Sequence, residues 1–285
     1  MIPNLFDYQR AASLDEALAL VGSPGTKVIA GGMSLLPLMK LRLANPERLV
    51  DIGRLAELKG VRELPDGRLA IGALTTYSEL AVSPARHYGL LGDALPDIGD
   101  VQVRNRGTVG GAVAHCDPAS DLPAVLLALD AEIVARSKRG ENVYAADGFF
   151  TGAFSTALAE DELITEIRLP GPRDDAGSAY ASLAQRASGY SIVGVAAIVI
   201  KEGGSAITKA GIALTGVGDA PYRAKAVEAA LIGNEGTPES IAEAATHASD
   251  GVTVNGDIHA DSEYRTAMAV AYTRRAIAAA LGRLG

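Results

Sequence analysis

Two short glycine turns hold the residue types best suited to chemistry in this chain. Ala30-Gly-Gly-Met-Ser34 lies near the N-terminus, and Thr108-Val-Gly-Gly-Ala112 lies far downstream. Without a Cβ, a glycine pair lets backbone amides come close to an anion. Each turn adds a hydroxyl, from Ser34 or Thr108, and each sits among apolar neighbours: Val28, Ile29 and Leu35 at the first, Val109 and Val113 at the second. Opposed amides and hydroxyls from two such turns are able to bind a pyrophosphate with no lysine. Either turn alone reads equally well as a tight bend with no ligand. Neither contains the P-loop pattern Gly-x-x-x-x-Gly-Lys-Ser/Thr or the dinucleotide pattern Gly-x-Gly-x-x-Gly, which disfavours the common nucleotide folds.

His115-Cys116-Asp117 follows the second turn and invites a nucleophile reading. Adjacent side chains cannot form an attacking pair aligned by a third group, so the expectation is a partly buried, inert thiol. His87, His115, His247 and His259 are scattered without metal-ligand spacing, and no metal site is expected. Asp121 opens an apolar segment at or near a helix N-cap, where it could also accept a hydrogen bond from a ribose or ribityl hydroxyl.

The elements that must position these residues read as α+β. Ser13-Leu-Asp-Glu16 has the form of a capping box, with Leu14, Ala17, Leu18 and Val21 following at helical spacing. Residues 27–30 read as a short buried strand, 34–43 as a helix, and 49–52 as a strand, which together make a small βαβ-type unit. Further strands are expected at 69–73, 131–135, 142–144 and 163–169, with helices at 76–79, 90–100 and 121–129. Residues 170–177, Pro-Gly-Pro-Arg-Asp-Asp-Ala-Gly, form the best linker. Beyond it come two long strands, 193–201 and 207–217, and helices near 222–231, 238–248 and 262–281. In the last helix Tyr264, Met268, Tyr272 and Ile277 are expected to form the apolar stripe. The predicted organisation is a two-part domain over 1–175 (subdomains 1–57 and 58–175) followed by a C-terminal α+β domain over 178–285.

The 285 residues suit one or two domains at about 150 residues each. A composition of 48% hydrophobic and 21% charged residues is that of a globular protein with a sizeable core. No apolar run is long enough to span a membrane, and the N-terminus has no secretion-signal pattern. A single cysteine excludes an intrachain disulfide and a cysteine-held iron–sulfur cluster, which fits a reducing cytoplasm. The net charge of −8 and the absence of Trp argue against nucleic acid as a partner.

Taken together, Ala30-Gly-Gly-Met-Ser-Leu-Leu-Pro-Leu-Met-Lys40 with Arg42, and Val103-Arg-Asn-Arg-Gly-Thr-Val-Gly-Gly111 with Asp117-Pro-Ala-Ser-Asp-Leu-Pro-Ala124, resemble the two flavin loops of a known family. It is the FAD-binding medium subunits of molybdenum hydroxylases, the carbon monoxide dehydrogenase and xanthine dehydrogenase group. The resemblance covers essentially the whole chain and implies a PCMH-type FAD domain with an antiparallel C-terminal domain. It implies that Val28 to Leu35 (Val28, Ile29, Ala30, Gly31, Gly32, Met33, Ser34, Leu35) and Thr108 to Ala112 (Thr108, Val109, Gly110, Gly111, Ala112) embrace FAD. It further implies that Asp121 holds a polar part of the nucleotide, Ile98 lies near adenine, Ile164 touches the flavin end, and Tyr190 lies near the isoalloxazine ring. The implied partners are a large subunit with a molybdopterin-type molybdenum cofactor and a small subunit with [2Fe–2S] clusters, in a dimer of heterotrimers. The implied role is to take electrons one at a time onto FAD and pass them to an external acceptor. The alternative is a stand-alone FAD-dependent oxidoreductase with its own small-molecule substrate. Members often have Asn or Asp after the second glycine pair, where this chain has Ala112. No side chain is expected to act as acid, base or nucleophile, and valine at Gly32 or Gly110 is expected to empty the flavin site while sparing the fold.

Overall fold

The structure, a computed structural model, describes residues 2–284. The N-terminal unit consists of β1 (Asp7–Arg10), α1 (Leu14–Leu20), β2 (Thr26–Ile29), α2 (Leu35–Lys40) and β3 (Arg48–Asp51). Its sheet is parallel with order β1-β3-β2, so β2 lies on an edge. Ser13 caps α1 by accepting from the Glu16 amide. The reciprocal half of the box is displaced: Glu16 takes the Ala12 amide at 2.7 Å. The strand over 27–30 is half-exposed rather than buried, because among the described residues nothing pairs with the free edge of β2. β1 is an additional strand with no apolar alternation to announce it.

The second unit contains β4 (Val61–Glu63), β5 (Leu69–Gly72), α3 (Tyr77–Ala81), α4 (Gly89–Ala94), α5 (Val101–Arg104), α6 (Val109–His115) and α7 (Asp121–Ala128). It continues through β6 (Glu132–Ser137), β7 (Gly140–Ala145), the small hairpin β8 (Phe150–Gly152) and β9 (Ser155–Thr156), and β10 (Leu163–Leu169). Its main sheet is antiparallel with order β4-β5-β10-β6-β7. Thr76 and Glu79 complete a capping box at α3.

The C-terminal unit is an antiparallel sheet of β11 (Ala176–Ala184), β12 (Ser191–Ile200), β13 (Lys209–Thr215) and β14 (Tyr222–Arg223), with α8 (Lys225–Leu231), α9 (Pro238–Ala245) and α10 (Ser262–Leu281). In α10 the buried face is Arg265, Ala269, Thr273, Ala276, Ile277 and Ala280. Of the expected stripe Ile277 is buried as expected, but over the first part of the helix the buried face lies one position on: Tyr264 is exposed, and Met268 and Tyr272 only flank the core. Small residues at 269, 276 and 280 let the helix lie close to β11 and β12. The whole is α+β, with a mixed N-terminal part and an antiparallel C-terminal sheet covered by helices.

Helix α7 ties these units together. Every residue from Asp121 to Ala128 is buried, because the helix belongs to the core under the five-stranded sheet and also packs on β12 and β13. Among the described residues no helix is long and apolar enough to cross a membrane.

Candidate functional site

The first glycine turn connects edge strand β2 to α2. Among the described residues, amides from Gly31 to Leu35 find no acceptor; the first to be satisfied is Leu36, which donates to the Gly32 carbonyl at 3.1 Å. Ser34 occupies the N-cap position of α2 without making a side-chain cap bond. Gly32 has φ +75°, a left-handed conformation that reverses the chain and sets these donors side by side. Val28, Ile29, Ala30, Gly31, Gly32, Ser34 and Leu35 are all partly exposed, and Met33 is exposed. A run of orphan N–H groups beside half-exposed apolar side chains suits a ligand that is anionic at one end and apolar at the other.

The second turn has a different construction. The amide of Val109 donates to the Thr75 carbonyl at 3.0 Å, and that of Gly110 to the Ala73 carbonyl at 2.8 Å. Thr108 caps α6, its Oγ1 accepting from the Gly111 amide at 3.2 Å, and its carbonyl takes the Ala112 amide. A Cβ on Gly110 would stand 2.5 Å from Ala73 Cβ and 2.9 Å from its carbonyl oxygen. This glycine therefore serves the packing of α6 against the end of β5. The expectation that valine there spares the fold is overturned, because its space is already filled by the sheet. Gly111, by contrast, is exposed, and Ala112 is half-buried.

The two turns meet. A Cβ on Gly31 would overlap the Arg106 carbonyl oxygen and would lie 3.2 Å from Gly107 Cα. Gly107 in turn packs on the buried ring of Tyr77, whose amide donates to the Gly107 carbonyl at 3.2 Å. The first turn thus touches the backbone at Arg106–Gly107, immediately before the second turn.

Other expected positions are distributed around this contact. Ile98 is half-buried against the main core, and its carbonyl accepts from Arg104, as does that of Gly99. Ile164, on β10, is 6% exposed and packs inside that core. Tyr190 lies in the turn between β11 and β12 and is 48% exposed. Burial, then the charges of Asp117 and Asp121, push its hydroxyl pKa above the ordinary value. Asp121 is the first residue of α7, Ser120 being the N-cap, and it is buried. Its Oδ1 accepts hydrogen bonds from the hydroxyls of Tyr180 and Ser191. Burial raises its pKa, opposed by those two bonds. Tyr180 and Ser191 were not singled out from the sequence; only the fold brings them to Asp121.

The central triplet is chemically quiet. Cys116 is fully buried, its thiol pointing at the Gly152 carbonyl, and burial raises its pKa. Burial lowers the His115 pKa, and its ring lies 5.1 Å from that of Phe154. Asp117 accepts the Ala119 amide and shapes the bend before α7. Beside Tyr190 a cleft of about 150 Å³ is lined by residues that include Gln185, Asn255, Asp257, His259 and Arg265. Arg265 there is committed to the carbonyls of Ile192 and Gly216 and to Asp257. Among the described residues no group of three His, Cys, Asp or Glu side chains could hold a metal.

Residues 4–172 match the family described as the FAD binding domain in molybdopterin dehydrogenase, and residues 178–280 match the CO dehydrogenase flavoprotein C-terminal domain. The carbon monoxide dehydrogenase medium chain of Hydrogenophaga pseudoflava is 40% identical over 287 residues, covering 99% of both chains. The glyceraldehyde dehydrogenase medium chain of Sulfolobus acidocaldarius is 38% identical, covering 97% of this chain and 98% of its own. A solved structure of carbon monoxide dehydrogenase from Hydrogenophaga pseudoflava, lacking the Mo-pyranopterin moiety of its cofactor, superposes with a TM-score of 0.95 at 41% identity over the full length of both chains.

Proposed function

We propose, for a chain that belongs to the FAD-binding medium-subunit family of the molybdenum hydroxylases, that it is the electron-exit subunit of an oxidoreductase complex. The partners in this reading are a large molybdenum-binding subunit, where substrate is oxidised, and a small [2Fe–2S] subunit, assembled as a dimer of heterotrimers in the cytoplasm. When bound, FAD would accept electrons singly from the [2Fe–2S] clusters and deliver them to an external acceptor.

The observation that carries the reading is the run of orphan amides from Gly31 to Leu35, held against the Arg106–Gly107 backbone. Those amides and the Ser34 hydroxyl would hold the pyrophosphate. Val28, Ile29, Ala30, Met33 and Leu35 offer apolar surface along the same edge. From the second turn, exposed Gly111, half-buried Ala112 and the Thr108 hydroxyl would close the other side. Val109, Gly110, Ile164 and Asp121 would act from behind, since their amides, side chains or carboxylate are already engaged within the protein. Ile98 would border adenine and Tyr190 the isoalloxazine ring. The work of these residues would be binding, orientation and exclusion of water. We assign the FAD-binding part to 1–175, with subdomains 1–57 and 58–175, and the capping part to 178–285.

Similar chains carry the names of dehydrogenases for carbon monoxide and for glyceraldehyde, so substrate choice would reside in the large subunit. The test is direct. The complex containing this chain should be yellow and should release FAD on denaturation; colourless protein that cannot be reconstituted with FAD overturns the reading.

A further inference from the structure

One carboxylate joins the unit carrying the glycine turns to the C-terminal sheet. Asp121 starts α7, the helix entered directly from the segment that follows the second turn, and it is 5% exposed. Its Oδ1 accepts from Tyr180 on β11 and, at 2.6 Å, from Ser191 on β12. These are the two strands that flank the turn carrying Tyr190. Space for the Tyr180 hydroxyl exists because residue 194 is glycine; a Cβ there would overlap it.

The turn itself is closed on its own backbone. Gln185 donates to the Tyr190 carbonyl at 2.8 Å, Gly189 to the Gln185 carbonyl at 2.9 Å, and Tyr190 to Ser188 Oγ at 3.3 Å. Ser191, directly after Tyr190, is held by Asp121, and the same carboxylate anchors the body of β11 through Tyr180, while the Tyr190 ring projects half-exposed. A single carboxylate oxygen can accept two hydroxyls at once, and in a buried setting such bonds are strong and directional.

We propose that Asp121, Tyr180 and Ser191 form a positioning network that fixes the pose of the Tyr190 ring relative to the glycine turns, and hence at the flavin. This rests on the FAD reading above and on the place of Tyr190 within it. The network assigns Asp121 a mechanical role between the units: it transmits the position of α7 to the turn at 185–190.

The test uses the intact FAD-containing complex with Tyr180→Phe, Ser191→Ala, Tyr190→Ala and the double variant Tyr180→Phe/Tyr190→Ala. Flavin fluorescence yield, flavin midpoint potential and FAD content are measured. An aromatic ring against a flavin quenches its emission, so Tyr190→Ala is expected to raise the yield several-fold at unchanged FAD content. Tyr180→Phe deletes one oxygen and keeps its ring in the core; it should reproduce part of that rise, as should Ser191→Ala. In the double variant, Tyr180→Phe should add nothing to the effect of Tyr190→Ala. Wild-type fluorescence and potential in Tyr180→Phe and Ser191→Ala, beside a clear change in Tyr190→Ala, would overturn the network alone. Additive effects in the double variant, or loss of FAD from Tyr180→Phe, would do the same. Tyr190→Ala without any effect in an FAD-containing complex would overturn the place of Tyr190 at the flavin and the network with it, while a wild-type complex without FAD would overturn the underlying FAD reading.

Discussion

Gly31-Gly32 and Gly110-Gly111 are the same dipeptide put to different physical use. At the first pair the chain leaves an edge strand, reverses through a left-handed glycine, and presents amides that no described residue satisfies. At the second pair the amides of Val109 and Gly110 are bonded to the end of β5, and Gly110 admits α6 to within contact of Ala73. The first turn is built as a donor surface; the second is built as a wall that stands against it. A glycine pair leaves two roles open, backbone access and close packing. What decides between them is where the neighbouring N–H groups end.

The largest effect that could break this comparison is expected at Gly110. Gly110→Val must displace Ala73, and overpacking of this kind costs about 1–3 kcal/mol, with the upper end expected against backbone. Thermal unfolding should show a clear loss of stability, while Gly111→Ala, exposed but with its Cβ 2.7 Å from the Thr108 hydroxyl that caps α6, should lose less, about the 1 kcal/mol worth of that cap. Equal losses in the two variants would contradict the packing role.

Next comes Gly32. Forcing a side chain to φ +75° costs roughly 1–2 kcal/mol, while the nearest obstacle to a Cβ, Leu36 Cδ1 at 2.9 Å, is the movable end of a side chain. Gly32→Ala should therefore keep the fold and lower FAD affinity. Unfolding curves of the FAD-free protein, set beside FAD titrations, separate the two effects; a loss of stability with unchanged affinity would sink the donor-surface role.

These expectations mark what was legible in the chain. The helices with strong caps at Thr76, Thr237 and Asp261 could be placed from their side chains and periodicity, whereas α6, capped by Thr108, reads from its sequence only as a glycine turn. β11 could not: Ala176 to Ala184 is mostly Ala, Gly and Ser, and only its partners β12 and α10 make it a strand. β2 gives an apolar run that looks buried, yet its exposure is decided by the sheet order β1-β3-β2. The pairing of the turns was anticipated from their composition, whereas the engagement of the Gly110 amide depends on Ala73, which no local pattern reveals. Asp121, Tyr180 and Ser191 are 59 and 70 residues apart in sequence, beyond the reach of any spacing rule.

A smaller effect sharpens the account of the second turn. Thr108→Val removes the hydroxyl that caps α6, and loss of a cap costs about 1 kcal/mol. The melting temperature should fall modestly, and FAD affinity should fall with it, because the same hydroxyl is placed against the cofactor. The smallest effect concerns Cys116, which follows the same turn. Because its thiol is buried and its pKa raised, an aromatic disulfide reagent at mildly alkaline pH should leave it unmodified until the protein is unfolded. Rapid labelling of the native protein would show that the second turn is open rather than packed.

The most direct measurement of the central claim is the FAD-to-protein ratio of purified, folded Gly32→Val beside that of the wild-type complex. The orphan amides from Gly31 to Leu35 are taken here to hold the pyrophosphate, so the variant should keep wild-type secondary structure and contain little or no FAD. A folded variant with the full wild-type complement of FAD would contradict it.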